Sequence, residues 1–201
     1  MSIEIKQEYK CTEKCELEYT FDVTVCNNSS NTICFDKLVP LFDITSGNIT
    51  ITTNTFIPTV LPPGGCVNFI IGLTALTLDP MSVAFQLEDN DCAGCTKDFG
   101  LDLTPKVDCN MEVSDGDIDP NGMMSGSGVY YYDFSIILSG VQSVFAVWST
   151  PQQVLNYTYD GIQRLDGLCA FDINDLNGAD SVCIDILVCV KGKLCIYRWV
   201  L

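Results

Sequence analysis

The stretch LEYTFDVTVC constrains this chain more than any other. Leu17, Tyr19, Phe21, Val23 and Val25 alternate with Glu16, Glu18, Thr20, Asp22 and Thr24. Successive side chains of an extended backbone point to opposite faces, so this period of two predicts a half-buried strand. NNSSN follows as a turn, because Asn and Ser bond their own backbone and Asn tolerates left-handed geometry. The same style continues along the chain. Short β-type runs at TICFDKLV, NITITTNTF, CVNFIIGL, SVAFQL and FGLDL are separated by PLFD, TSG, LPPGG and LEDNDCAGC. VYYYDFSIIL, VQSVFAVW, VLNYTY, LCAFDI, VCIDILVCV and LCIYRWVL follow. No stretch sustains a helical period, so an all-β protein is expected.

The boundary between two domains is expected near LTPKVD, where a proline separates the end of a strand from an Asp-rich restart. Residues 1–105 then form a Cys-rich sandwich and residues 106–201 a second sandwich with Asp-rich loops. Each half has about a hundred residues and six or seven strands, the size and strand count of an immunoglobulin-like β-sandwich. The expected fold is two such domains in tandem.

Charge narrows the partners. The net charge is −16, about −9 on residues 1–105 and −7 on residues 106–201. A nucleic-acid binder neutralises phosphates with Lys and Arg, and ten basic residues against 26 acidic ones argue against that class. Anionic membranes are disfavoured for the same reason. No run approaches the roughly 18 to 20 apolar residues of a spanning helix. Histidine is absent. That removes Ser-His and Cys-His pairs and every zinc site that uses imidazole. Carboxylates alone could still catalyse, but no particular pair is marked.

The twelve cysteines allow three readings. In one, Cys11-x3-Cys15 and Cys92-x2-Cys95 form a closed four-thiolate structural zinc site. In another, some cysteines are disulfides, with Cys189 and Cys195 opposed across a three-residue Lys191-Gly192-Lys193 loop. In the third, most are reduced and buried, acting as small hydrophobes.

DGDIDPNG places Asp115, Asp117, Asp119 and Asn121 at alternate positions, an oxygen-ligand spacing that suits calcium in a loop. A solvated turn accounts for the same residues. DINDLNGAD offers further oxygens. Tyr130, Tyr131, Tyr132, Tyr197 and Trp199 are candidate interface residues, since Tyr and Trp combine apolar area with a polar tip. The sequons at Asn27, Asn28, Asn48 and Asn156 match what chance gives in a chain rich in Asn and Thr.

The order YTFDVTVCNNSSNTICFDKLVPLFDITSG followed by FIPTVLPPGGCVNFIIGLT resembles the immunoglobulin-like repeat modules of bacterial surface proteins and phage virion decoration proteins. Such modules pair a strand and turn of the xVTVxN type with a later LPPGG-type turn. The resemblance covers residues 15–75 and implies a sandwich used as a spacer or adhesive unit. The cysteine content departs from it, as does the opening MSIEIKQEYK, which lacks an export signal and implies a cytoplasmic start. A virion protein reconciles acidic surface domains with cytoplasmic folding, because it assembles in the host and leaves by lysis. The expected function is a non-enzymatic capsid auxiliary, decoration or head-fibre component of a tailed bacteriophage. Its partners would be the major capsid protein, other virion proteins or further copies of itself. A bacterial surface or fimbrial adhesion module is the alternative, and a carboxylate-based carbohydrate-active enzyme the third class.

Overall fold

The computed structural model describes residues 1–43, 48–88, 96–113, 116–124, 129–150, 153–172 and 183–200. These residues form strands and turns, without a helix, as the alternating pattern requires. The chain divides into two compact units. Unit 1 comprises Met1–Lys10 and Glu16–Pro105; unit 2 comprises Lys106–Leu201 together with Cys11–Cys15. A single cut at 105/106 therefore misassigns residues 11–15, which pack with the second unit.

Unit 1 contains β1 (Ser2–Cys11, whose last residue belongs to unit 2), β2 (Leu17–Cys26), β3 (Ile33–Phe35), β4 (Lys37–Pro40), β5 (Ile49–Asn54), β6 (Thr59–Leu61), β7 (Cys66–Ala75), β8 (Ser82–Glu88) and β9 (Lys97–Asp102). One sheet runs β1-β2-β7-β5, another β4-β8-β9, and β3 pairs with β6. The period of two fixes which residues face inward. Leu17, Tyr19, Phe21, Val23 and Val25 of β2 are buried, as are Phe69, Ile71, Leu73 and Ala75 of β7. Val83, Phe85 and Leu87 of β8 join Phe99 and Leu101 of β9 in the opposite layer. Ring contacts tie the layers together: Phe69 meets Phe99 edge-on at 6.4 Å, and Phe99 stacks on Phe85 at 5.9 Å. Burying each such side chain contributes about 1.5–3 kcal/mol.

The NNSSN and LPPGG turns, separate in the sequence, meet at one residue. Asn27 is fully buried; its Nδ2 donates to the Asn31 and Leu61 carbonyls, and its Oδ1 accepts from the Ser29 N–H and hydroxyl. Its backbone pairs with Gly65 and Gly64. Gly64 sits at φ 77°, a conformation that costs glycine little. Beside this knot the directly opposed Cys26 and Cys66 are joined by a disulfide.

Unit 2 contains β10 (Cys109–Val113), β11 (Gly116–Met124), β12 (Val129–Ile137), β13 (Ser143–Thr150), β14 (Gln153–Tyr159), β15 (Arg164–Asp172), β16 (Cys183–Val190) and β17 (Lys193–Val200). They form two four-stranded sheets, β10-β17-β16-β13 and β11-β12-β15-β14. β10 runs parallel to β17, and the other pairs are antiparallel. One apolar cluster draws on both sheets: Phe134, Ile136, Leu165 and Cys169 from one, Ile184, Ile186, Val188, Cys195, Tyr197 and Trp199 from the other. Gly167 lies against the Phe134 ring, where a Cβ would collide with the ring and with the Asn156 carbonyl.

Candidate functional site

The most heavily cross-linked region of unit 2 is the β16–β17 hairpin end. Lys191 and Gly192 carry φ of 51° and 80°, so a two-residue turn with positive φ at both positions joins the strands. The pair register follows: Val190 faces Lys193, Cys189 faces Leu194 and Val188 faces Cys195. This corrects the Cys189–Cys195 pairing expected from a three-residue loop. The two cysteines occupy successive pairs of the ladder and therefore opposite faces of the sheet. Cys195 turns into the core and bonds Cys109, its register partner on β10; Cys189 turns outward and bonds Cys11.

The segment Cys11–Cys15 is the cover that buries Cys189. The Cys11 N–H donates to the Gly192 carbonyl at 3.0 Å, and the Ser143 hydroxyl donates to the Thr12 carbonyl at 2.8 Å. The exposed Cys15 thiol donates to the Val144 carbonyl at 3.5 Å. Gln142 completes the clamp, its Oε1 accepting from the Gly192 N–H at 2.9 Å and its own N–H bonding the Cys189 carbonyl at 2.7 Å. Asp108 brackets Leu194 from the β10 side through its N–H and its carboxylate. Chemically this is a covalent and hydrogen-bonded fastening.

In this structure the sulfur of Cys11, one of the four thiolates of the zinc reading, is bonded to Cys189. Cys92 and Cys95 lie outside the described residues. Among the described residues no cluster of His, Cys, Asp or Glu is placed to hold a metal ion. The calcium loop is also redrawn. Asp117, Asp119 and Asn121 belong to strand β11, with Asp117 opposite Ser135 and Asp119 opposite Asp133; Asp115 lies outside the described residues. Pro120 fits this strand because β11 is a sheet edge and the register shifts between Asp119 and Met123.

Two of the five aromatic interface candidates are core residues. Tyr197 and Trp199 are only 7% and 4% exposed, since they share the inward face of β17 with Cys195. Tyr131 is half-buried on β12; Tyr130 and Tyr132 pair through β12 with Phe171 and Cys169. Among the described side chains of unit 2, Trp148 on β13 and Tyr157 on β14 are exposed aromatics, each 38% exposed, in strands that the sequence predicts without marking these two rings. Both strands are sheet edges, where only one neighbour covers a large ring.

Burial shifts two groups strongly. Burial, aided by Tyr9 and Asp102, pushes the Tyr19 phenol up to about 12, while its hydroxyl donates to the Leu103 carbonyl at 2.8 Å. Burial likewise pushes the Cys169 thiol up to about 11, which keeps it protonated and inert as a nucleophile. Asp185, buried at 4% exposure, accepts a two-pronged bond from Arg198 at 2.7 and 2.9 Å. A cleft of about 170 Å³ in unit 1, lined by Met1, Ile33, Phe35 and Lys97 among others, is smaller than the roughly 300–1,000 Å³ of ligand pockets. Among the described residues no helix is long and apolar enough to cross a membrane.

No protein-family model matches this chain, and a search of curated proteins finds no match.

Proposed function

We propose that the chain is a non-enzymatic structural protein built from two tandem immunoglobulin-like β-sandwiches. Strand order carries this reading. An immunoglobulin constant-type domain orders its strands A-B-E-D in one sheet and C-F-G in the other. In unit 1 the orders β1-β2-β7-β5 and β4-β8-β9 fit that scheme, with β3 and β6 added. In unit 2, β11-β12-β15-β14 and β13-β16-β17 fit it again, with β10 added alongside β17. The antibody-type disulfide between B and F is replaced by Cys26–Cys66 within one sheet of unit 1 and by Cys109–Cys195 on β10 of unit 2.

The place of action we propose is the outer surface of a tailed-bacteriophage virion, as a capsid auxiliary, decoration or head-fibre component. The partners are the major capsid protein or other virion proteins, without nucleic acid or membrane. Support comes from the −16 net charge, which disfavours contact with packaged genome. The action is passive: rigid sandwiches dock and project. Mass spectrometry of gradient-purified particles tests this. The chain is expected in fixed stoichiometry with the capsid protein, and its loss from the particles on purification would overturn the assignment.

The second reading, a bacterial surface or fimbrial adhesion module, is favoured by one observation. Among the described residues six cysteines are joined in three disulfides, as suits an exported protein. Thiol counting on freshly lysed cells separates the two: thiols still reduced before release fit assembly in the cytoplasm, and fully formed disulfides fit export.

A further inference from the structure

β1 is ten residues long and ends its sheet, with β2 as its neighbour. Asn28 Nδ2 donates to Ser2 Oγ at one end and Lys10 pairs with Glu18 at the other, so the two strands run antiparallel. Among the described residues no strand pairs with the outer edge of β1. Most of the strand is exposed, including Glu4, Ile5, Lys6, Gln7, Glu8 and Lys10. A long edge strand is a template for another strand, and β1 contains neither proline nor glycine to spoil it.

Its charges are ordered. Tyr9 stacks on the buried Tyr19, which puts odd-numbered residues on the core side; Glu4, Lys6, Glu8 and Lys10 share the opposite face and sum to zero. On a chain of net charge −16, this strand carries no net charge to repel a second copy, and its alternating signs can be matched by one. If two copies of β1 pair antiparallel with the two-fold axis at Gln7, Lys6 faces Glu8, Glu4 faces Lys10, and Ile5 faces Tyr9. Every charge meets its opposite. Moving the register by two residues either way sets Lys6 against Lys6 or Glu8 against Glu8, so the charges select one register.

We infer that β1 is a self-association edge: two copies join their β1-β2-β7-β5 sheets into one eight-stranded sheet about a two-fold axis through Gln7. This surface is independent of where the protein serves, so it goes beyond the function proposed above.

The test uses the full chain in sedimentation equilibrium. The unmodified protein is expected to dimerise, and Lys6→Glu or Glu8→Lys alone to raise the dissociation constant roughly tenfold or more, since each puts like charges opposite twice in the dimer. An equimolar mixture of the two variants should recover a heterodimer, because the two reversed charges then face each other across the axis and the two unchanged ones do the same. In a Cys15→Ser background, Gln7→Cys should oxidise to a covalent dimer, whereas Lys6→Cys, opposite Glu8, should not. All these positions are exposed, and far-UV circular dichroism confirms folding. A monomer at every accessible concentration would overturn the inference, as would a dimer indifferent to both charge reversals.

Discussion

The two units arrange their sheets alike and hold them together differently. In unit 1 the layers meet through rings: Tyr19 stacks on Phe21, Phe69 meets Phe99, and Phe85 touches both Phe42 and Phe99. Its one described disulfide, Cys26–Cys66, only reinforces neighbouring strands. Unit 2 has a largely aliphatic core and two disulfides, one to its first strand and one to the Cys11–Cys15 cover. One strand order can thus be secured by side-chain packing or by covalent closure of long loops. The distinction is measurable, because both tryptophans, Trp148 and Trp199, belong to unit 2. Tryptophan fluorescence follows that unit alone, and hydrogen exchange read by mass spectrometry follows both.

Reduction should separate the units most. The Cys11–Cys189 and Cys109–Cys195 bridges span 178 and 86 residues, against 40 for Cys26–Cys66. Loop-closure entropy gives about 5 kcal/mol for each of the longer bridges and about 4 kcal/mol for the shorter. Adding reductant should therefore bring the tryptophan-reported unfolding well below that of unit 1; equal shifts would erase the contrast. Phe85→Ala should do the reverse. Phe85 is 1% exposed and contacts two rings, so its loss should cost unit 1 about 3–5 kcal/mol and leave the tryptophan transition in place.

A smaller effect is expected from Gly167→Ala, which drives a methyl into Phe134 and should destabilise unit 2 by about 1–3 kcal/mol in a urea titration. The smallest is alkaline. Cys169 and Tyr19 are pushed up to about 11 and 12, so the folded chain keeps protons that the unfolded chain releases above the ordinary values of 9.0 and 10.0. Stability then falls as pH rises, from pH 9 through 11 for unit 2 and from pH 10 through 12 for unit 1. At pH 10 unit 2 should have lost about 1 kcal/mol and unit 1 less, as fluorescence and exchange at matched pH would measure.

The β-type runs are legible because period-two alternation is local. β2 and β8 lie where LEYTFDVTVC and SVAFQL indicate. β1 escapes such a reading although Ile3, Ile5 and Tyr9 carry the same alternation, because its apolar residues are few among charges. The hairpin at Gly192 differs from expectation by one residue. Lys191 takes a positive φ that non-glycine residues rarely adopt, so nothing in KGK distinguishes a two-residue turn from a three-residue loop. That single step puts Cys189 and Cys195 on opposite faces. The Cys11–Cys189 bridge, across 178 residues, has no local signature at all. The Asp-rich run shows the converse error: Asp117 and Asp119 look like loop ligands by composition, yet pairing with β12 holds them in a strand.

Immunogold electron microscopy, with an antibody raised against the folded chain, is the sharpest test of the proposed place on the virion. Gold on phage heads or fibres is the predicted result. Gold on cell envelopes, with the particles bare, would contradict the proposed virion location and leave the adhesion module in its place.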